Sequence, residues 1–96
     1  MFNTVTEMVA FINKNGGPSQ LAQIVFNNSY VKVYGEKKQF DPINDIDTET
    51  NFIKFTETDI KGREFISYKP CNLIEALTFA PVGVDKDTIN YRNFRP

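Results

Sequence analysis

Residues 52–68, FIKFTETDIKGREFISY, carry the clearest strand pattern in the chain. The two ends of this stretch, FIKFT and EFISY, are rich in β-branched and aromatic residues, and a polar segment with one glycine separates them. Two such runs joined by a short turn are typical of a β-hairpin. Because side chains alternate between the two faces of a strand, we expect Phe55 and Phe65 to face a core. Lys54 and Glu64 are expected to face solvent.

Upstream of the hairpin, the sequence predicts two helices. Thr4 followed by Glu7 has the spacing of a capping box, and apolar residues then recur at helical spacing, which predicts a helix over 5–14. An Asn-Gly-Gly sequence follows and would end this helix. The next residue is a proline, which suits the first turn of a helix, and apolar residues again at helical spacing predict a second helix over 18–28.

A further strand is expected between the helices and the hairpin. Val31 and Val33 alternate with polar and aromatic residues, which predicts a strand within residues 29–40. The Gly-Glu-Lys-Lys sequence at 35–38 would turn the chain into a short partner strand that ends at Phe40.

Three remaining segments have weaker patterns. Residues 41–50 are polar and acidic and predict a surface loop. Residues 72–79 fit a short helix or another strand, with a slight preference for the helix. Ile89, Tyr91 and Phe94 predict a last edge strand.

These elements predict an α+β fold. Two N-terminal helices would pack on one face of a small antiparallel β-sheet of three to five strands, and the chain, residues 1–96, would form a single domain. In an alternative arrangement the two helices would form a separate helical lobe.

The composition of the chain argues against catalysis and against a bound cofactor. There is no histidine, which excludes catalytic triads and Cys–His dyads, and Cys71 is the only cysteine, which excludes an internal disulfide and a zinc-binding cluster. We therefore expect a non-enzymatic protein with no metal and no cofactor. The Cys71 thiol could be reactive or simply buried. No apolar run has the length of a membrane span, and we expect a cytoplasmic protein.

Charge is distributed unevenly along the chain. Residues 41–59 hold six acidic residues against one basic residue and net −5, whereas 1–40 and 60–96 each net +2. An acidic loop can attract the basic surface of another protein, including one that binds nucleic acid, or it can serve only solubility. The partner-binding residues predicted from this pattern are Asp41, Asp45, Asp47 and Glu49 for charge, and Tyr30 and Tyr34 for contact area.

Residues 16–25, GGPSQLAQIV, resemble the opening of Cro- and YdaS-type helix-turn-helix repressors, in which a Gly-Gly turn leads into a Ser-x-Leu-Ala helix. The resemblance implies a DNA-binding segment over residues 16–38, which would act as a dimer. The chain departs from that family in three ways: the turn glycine is replaced around Phe26, residues 30–34 have strand spacing, and the isoelectric point near 5.3 gives no basic footprint. The residues that this reading directs at DNA are Ser29, Tyr30, Lys32, Lys37 and Lys38.

The leading expectation is a small protein-binding module. Its abundant Asn forms, with Ile, Lys, Phe and Tyr, the set of residues that AT-rich codons supply, which suits a Firmicute-like host, a phage or a mobile element. The chain is therefore interpreted as a phage- or mobile-element-encoded inhibitor or regulator of a host protein. The alternative is the DNA-binding transcriptional regulator, and a structural subunit of a larger assembly stays open as well.

Overall fold

The computed structural model describes residues 1–89. In chain order it contains helix α1 (Val5–Lys14) and strands β1 (Leu21–Phe26), β2 (Ser29–Lys32), β3 (Phe52–Thr58), β4 (Glu64–Pro70) and β5 (Ile74–Phe79), with 3-10 turns at Cys71–Leu73 and Lys86–Thr88. Strands β2, β1 and β5 form one antiparallel sheet in that order, and β3 and β4 form a separate hairpin.

Helix α1 is confirmed with its predicted bounds. The Glu7 amide donates to Thr4 Oγ1 at 3.1 Å, and the Asn3 amide donates to Glu7 Oε2 at 2.9 Å, so both side chains satisfy donors at the start of the helix. At the other end, the Gly17 amide donates to the Ile12 carbonyl at 2.8 Å. Gly16 and Gly17 allow this reversal because both have positive φ. The helix buries Val5, Met8 and Ile12.

The predicted second helix over 18–28 is wrong. This segment forms β1, which pairs with β2 on one side and with β5 on the other. A central strand that is covered on both faces has no need to alternate, and five of the six β1 residues are buried. A continuous apolar run of this length fits a buried strand and a helix equally well, so the helical spacing of Leu21, Ile24 and Val25 was uninformative.

The strand predicted within 29–40 is confirmed for its first part, which is β2. The partner strand ending at Phe40 does not form. Its place along β2 is taken by Gln39, whose side-chain Oε1 accepts from the Lys32 amide at 2.9 Å. The Gln39 amide donates back to the Lys32 carbonyl at 2.7 Å.

The hairpin β3–β4 is confirmed, in a regular register that pairs Phe55 with Ser67 and Glu57 with Phe65. Phe55 is buried, and Lys54 and Glu64 are exposed, as predicted. The prediction for Phe65 is wrong, since half of its surface is exposed. Phe65 is on the same face as Phe55 but two residue pairs nearer the turn, where the hairpin extends past the core.

The slight preference for a helix over 72–79 is wrong. A single 3-10 turn leads into β5, where Leu77 pairs with Ile24 of the central strand. The run was too short for local preference to decide, and pairing with β1 decided it instead. The last predicted edge strand falls mainly outside the described residues, where Tyr91 and Phe94 lie, and Ile89 belongs to no strand.

The predicted fold class is therefore wrong. Residues 1–89 contain one α-helix and two small antiparallel sheets, not two helices on one sheet, and no separate helical lobe. A single hydrophobic core joins α1, both sheets and the loop before β3. Its buried members are Phe2, Val5, Met8, Ile12, Leu21, Ile24, Phe26, Val31, Val33, Phe40, Ile53, Phe55, Cys71 and Ile74.

Candidate functional site

The acidic segment 41–50 is a loop, as predicted, and its first carboxylate orders it. Asp41 Oδ1 accepts from the amides of Ile43 at 2.9 Å and Asn44 at 3.3 Å, and Oδ2 accepts from Asn44 Nδ2 at 2.8 Å. These hydrogen bonds, led by the one from Ile43, lower the pKa of the Asp41 carboxyl. The Asp41 amide in turn donates to Asp45 Oδ2 at 2.9 Å. Asp41 therefore has a structural role.

The later acidic residues of the loop are less engaged. Asp47 Oδ1 accepts from the Glu49 amide at 3.0 Å, and both residues are exposed. The ion pairs within residues 1–89 are Lys38 with Asp87 and Arg63 with Asp59, so none there involves Asp45, Asp47 or Glu49. The carboxylates of Asp47 and Glu49 therefore present their negative charge to solvent, and Asp45 is half-exposed.

A shallow groove of about 450 Å³ lies between this loop and the outer face of the hairpin. We call it the loop–hairpin groove; its lining residues are Asp45, Asp47, Thr50, Phe52, Lys54 and Tyr68. Lys54 pairs with Tyr68 across the two strands, and Phe52 is two residues before Lys54 on the same face. Phe52 is 49% exposed and Tyr68 is 61% exposed. The groove therefore brings carboxylates and exposed aromatic rings together.

The two tyrosines predicted to supply contact area lie elsewhere. Tyr34 is 2% exposed, with Lys32 Nζ 4.9 Å from the centre of its ring, so it offers no surface to a partner. Tyr30 is half-buried on β2, opposite Val25. Neither residue lines the loop–hairpin groove.

The sequence reasoning missed Phe52 and Tyr68 as candidate site residues. The exposure of Phe52 could have been predicted, because residues two apart in a strand lie on the same face and Lys54 was correctly expected to face solvent. Tyr68 follows from the hairpin register, which places it beside Lys54. The position of the acidic loop over the outer face of the hairpin could not be predicted from the sequence.

The residues assigned to DNA binding are divided between two places. Residues 16–38 form the turn after α1, the β1–β2 hairpin and the start of the next loop, so the helix-turn-helix geometry implied by the resemblance is wrong. At one end of β2, Ser29 Oγ accepts from Lys69 Nζ. Lys32 lies at the other end, over the Tyr34 ring.

Lys37 and Lys38 line a second groove, of about 430 Å³. Glu36 and Glu64 line the same groove, and Lys38 also pairs with Asp87 at 3.8 Å. Mixed charges of this kind do not give the continuous positive surface that a nucleic-acid backbone requires.

Cys71 is fully buried at the corner between β4 and β5. Burial raises the pKa of its thiol, which disfavours the reactive thiolate. Of the two readings left open for Cys71, the structure supports the small buried residue.

Within residues 1–89 no three potential metal-ligating side chains come together as a cluster. In the same part of the chain, no helix has the length and apolar character needed to cross a membrane. Comparison of the chain with models of known protein families, with curated proteins and with solved structures finds no match.

Proposed function

We propose that this protein works by binding another protein, through a basic segment of that partner which docks in the loop–hairpin groove. The observation that carries the proposal is the position of Asp45 and Asp47 beside the exposed rings of Phe52 and Tyr68. The interpretation as a phage- or mobile-element-encoded inhibitor or regulator of a host protein stays part of this proposal and rests on composition.

The chemistry of the groove selects a lysine or arginine side chain on the partner. A guanidinium or ammonium group can pair with the carboxylates of Asp45 and Asp47, and its charge is also attracted to the face of an aromatic ring. Phe52 and Tyr68 supply apolar contact area, and tyrosine is enriched at protein interfaces. The net charge of the surrounding loop would accelerate encounter with a positively charged surface.

The predicted role of the acidic residues is tested by replacing charge without changing shape. In a triple variant, Asp45→Asn, Asp47→Asn and Glu49→Gln, each side chain keeps an oxygen that can accept the loop hydrogen bonds. Asp41 stays unchanged because both of its carboxylate oxygens hold the loop. Wild-type and variant proteins would be used for affinity capture from host lysate, followed by binding kinetics with the captured protein.

We expect the triple variant to associate roughly tenfold more slowly at low salt, with a flatter salt dependence. Lys54→Gln provides the matched control, because it removes the one basic residue of the groove. This variant should associate faster than the wild type with a basic partner. Equal association rates and equal salt dependence in all three proteins would contradict the proposal.

DNA binding by Ser29, Tyr30, Lys32, Lys37 and Lys38 stays the alternative proposal, now without a recognition helix. A gel-shift titration of the protein against random duplex at low salt tests it. The protein-binding proposal expects no retardation at micromolar protein. Retardation that Lys37→Gln and Lys38→Gln abolish would support DNA binding instead.

A further inference from the structure

Alternate residues of β4 form backbone hydrogen bonds with β3. The Cys71 amide donates to the Asn51 carbonyl at 2.8 Å, and the Asp59 amide donates to the Arg63 carbonyl at 3.0 Å. Both bonds belong to the register that pairs β3 with β4. In an antiparallel ladder, hydrogen-bonded and non-hydrogen-bonded pairs alternate. The odd-numbered residues of β4 therefore bond to β3, and the even-numbered residues turn their amides and carbonyls away from it.

The outward groups of β4 belong to Glu64, Ile66 and Tyr68. No hydrogen bond from their main chain is formed within residues 1–89. By contrast, Gln39 occupies the outer edge of β2, and its carbonyl accepts from the Thr56 amide at the outer edge of β3. Strand β5 pairs with β1 through two register irregularities. The edge of β4 is thus the regular, uncovered edge in the described part of the chain.

The middle of this edge lacks the usual features that prevent strand addition. Protected edges carry bulges, prolines or charged residues. Strand β4 runs through seven regular pairs without a bulge, and its charged residues, Glu64 and Lys69, and its proline at position 70 lie at or near its ends. Its middle is apolar and exposed: Phe65 is 50%, Ile66 55% and Tyr68 61% exposed.

We infer that β4 pairs antiparallel with β4 of a second copy of this chain, about a two-fold axis at Ser67. The outward amides and carbonyls of Ile66 then meet those of Tyr68 in the second copy, and the reverse pair forms by symmetry. Both side chains are on the outer face, where aromatic and β-branched residues make favourable cross-strand pairs. The two hairpins become one four-stranded sheet.

Charge selects this register over the one whose axis is one residue nearer the hairpin turn. An axis at Ile66 would place Arg63 opposite Lys69 of the second copy, and like charges directly opposite each other are destabilising. An axis at Ser67 instead places Phe65 opposite Lys69. The Lys69 ammonium is already 4.8 Å from the centre of the Phe26 ring, so it sits in an aromatic environment that Phe65 would extend.

A cysteine at the axis tests the register directly. In the dimer, Ser67 would lie directly opposite Ser67 of the second copy in a non-hydrogen-bonded pair. The Cα atoms of such a pair are about 4.5 Å apart, which is within the range of a disulfide. Ser67→Cys should cross-link rapidly under mild oxidation. Ile66→Cys is the matched control: in this register it faces Tyr68 and should cross-link slowly. Wild-type protein should not cross-link because Cys71 is buried.

Sedimentation equilibrium tests the association itself. We expect a monomer–dimer equilibrium with a dissociation constant on the order of 100 µM, because two short strands bury little area. Ile66→Lys should abolish it, whereas Ile60→Lys, at a fully exposed position in the hairpin turn, should not. A wild-type protein that stays monomeric at millimolar concentration overturns the inference, and so does cross-linking of Ile66→Cys in preference to Ser67→Cys.

Discussion

Lys86 is a buried lysine, 6% exposed, that holds two parts of the chain together. Its ammonium donates to the main-chain carbonyls of Pro18 and Leu21, each at 3.0 Å. Burial, and then the nearby charge of Lys38, lower the pKa of this group below its ordinary value near 10.5. The folded protein therefore holds the Lys86 proton less tightly than the unfolded chain does. Raising the pH from the lowered pKa towards 10.5 thus favours the folded state.

We predict that Lys86→Met lowers the free energy of unfolding by about 1–2 kcal/mol at neutral pH, because two carbonyls lose their donor. The difference in free energy of unfolding between the wild type and the variant should increase as the pH rises towards about 10.5. The neutral amine of the wild type can still donate to both carbonyls, without the cost of a buried charge. Urea unfolding at several pH values measures this difference.

Lys61→Met serves as the control for the preceding prediction, because Lys61 is exposed in the hairpin turn. Its difference from the wild type should stay constant over the same pH range. If the difference in free energy of unfolding between the wild type and Lys86→Met stayed constant or narrowed with rising pH, burial would not disfavour the charged form of Lys86.

Among the elements, those with a local cause were predictable. Helix α1 follows from its capping residues, and the β3–β4 hairpin follows from alternation around a glycine turn. A helix was predicted where β1 forms, and helix and strand were left open, with a slight preference for the helix, where β5 forms. The identity of both strands depends on their pairing with each other, which no local pattern reveals. Periodicity also gave the correct face for Phe65 but could not show that the core ends before it. Phe65 is exposed for that reason.

The turn of the hairpin depends on one carboxylate. Asp59 Oδ1 accepts from the amides of Lys61 and Arg63, both at 2.9 Å, and Oδ2 accepts from Arg63 Nε at 2.6 Å. These contacts, led by the Arg63 amide, lower the pKa of Asp59 below its ordinary value of 3.8. The stabilisation is therefore present above pH 3.8 and is lost as the pH falls through the lowered pKa.

We predict that Asp59→Ala lowers the Tm at neutral pH and that this difference in Tm from the wild type narrows in acid. Asp59→Asn should retain most of the stability, because its single carbonyl oxygen can replace Oδ1 and accept both amides. Thermal unfolding followed by circular dichroism at several pH values compares the three proteins. If Asp59→Asn were as unstable as Asp59→Ala, the ion pair with Arg63 would be the main contribution.

For the whole molecule, the charge of the candidate site could be predicted from the sequence, but its geometry could not. The four acidic residues at 41–50 lie within ten residues of the sequence, so their clustering needs no fold. The position of Asp47 and Tyr68 in the same groove depends on how the loop crosses the hairpin. Tyr34 was expected at the surface from strand alternation, yet β2 ends at Lys32 and the chain turns Tyr34 into the interior.

The two sheets share one core, and this sharing predicts a single cooperative unfolding transition for residues from both. Ile53 of β3 is 1% exposed and belongs to the same cluster as α1 and β1. Ile53→Ala should lower the free energy of unfolding by about 2–4 kcal/mol, as expected for a truncated core side chain. Phe52→Ala, on the opposite face of the same strand, should change the free energy of unfolding by less than about 1 kcal/mol.

Urea unfolding followed by far-ultraviolet and near-ultraviolet circular dichroism should give coincident curves for each protein. Separate transitions, or an Ile53→Ala protein as stable as Phe52→Ala, would mean that the hairpin folds apart from the three-stranded sheet.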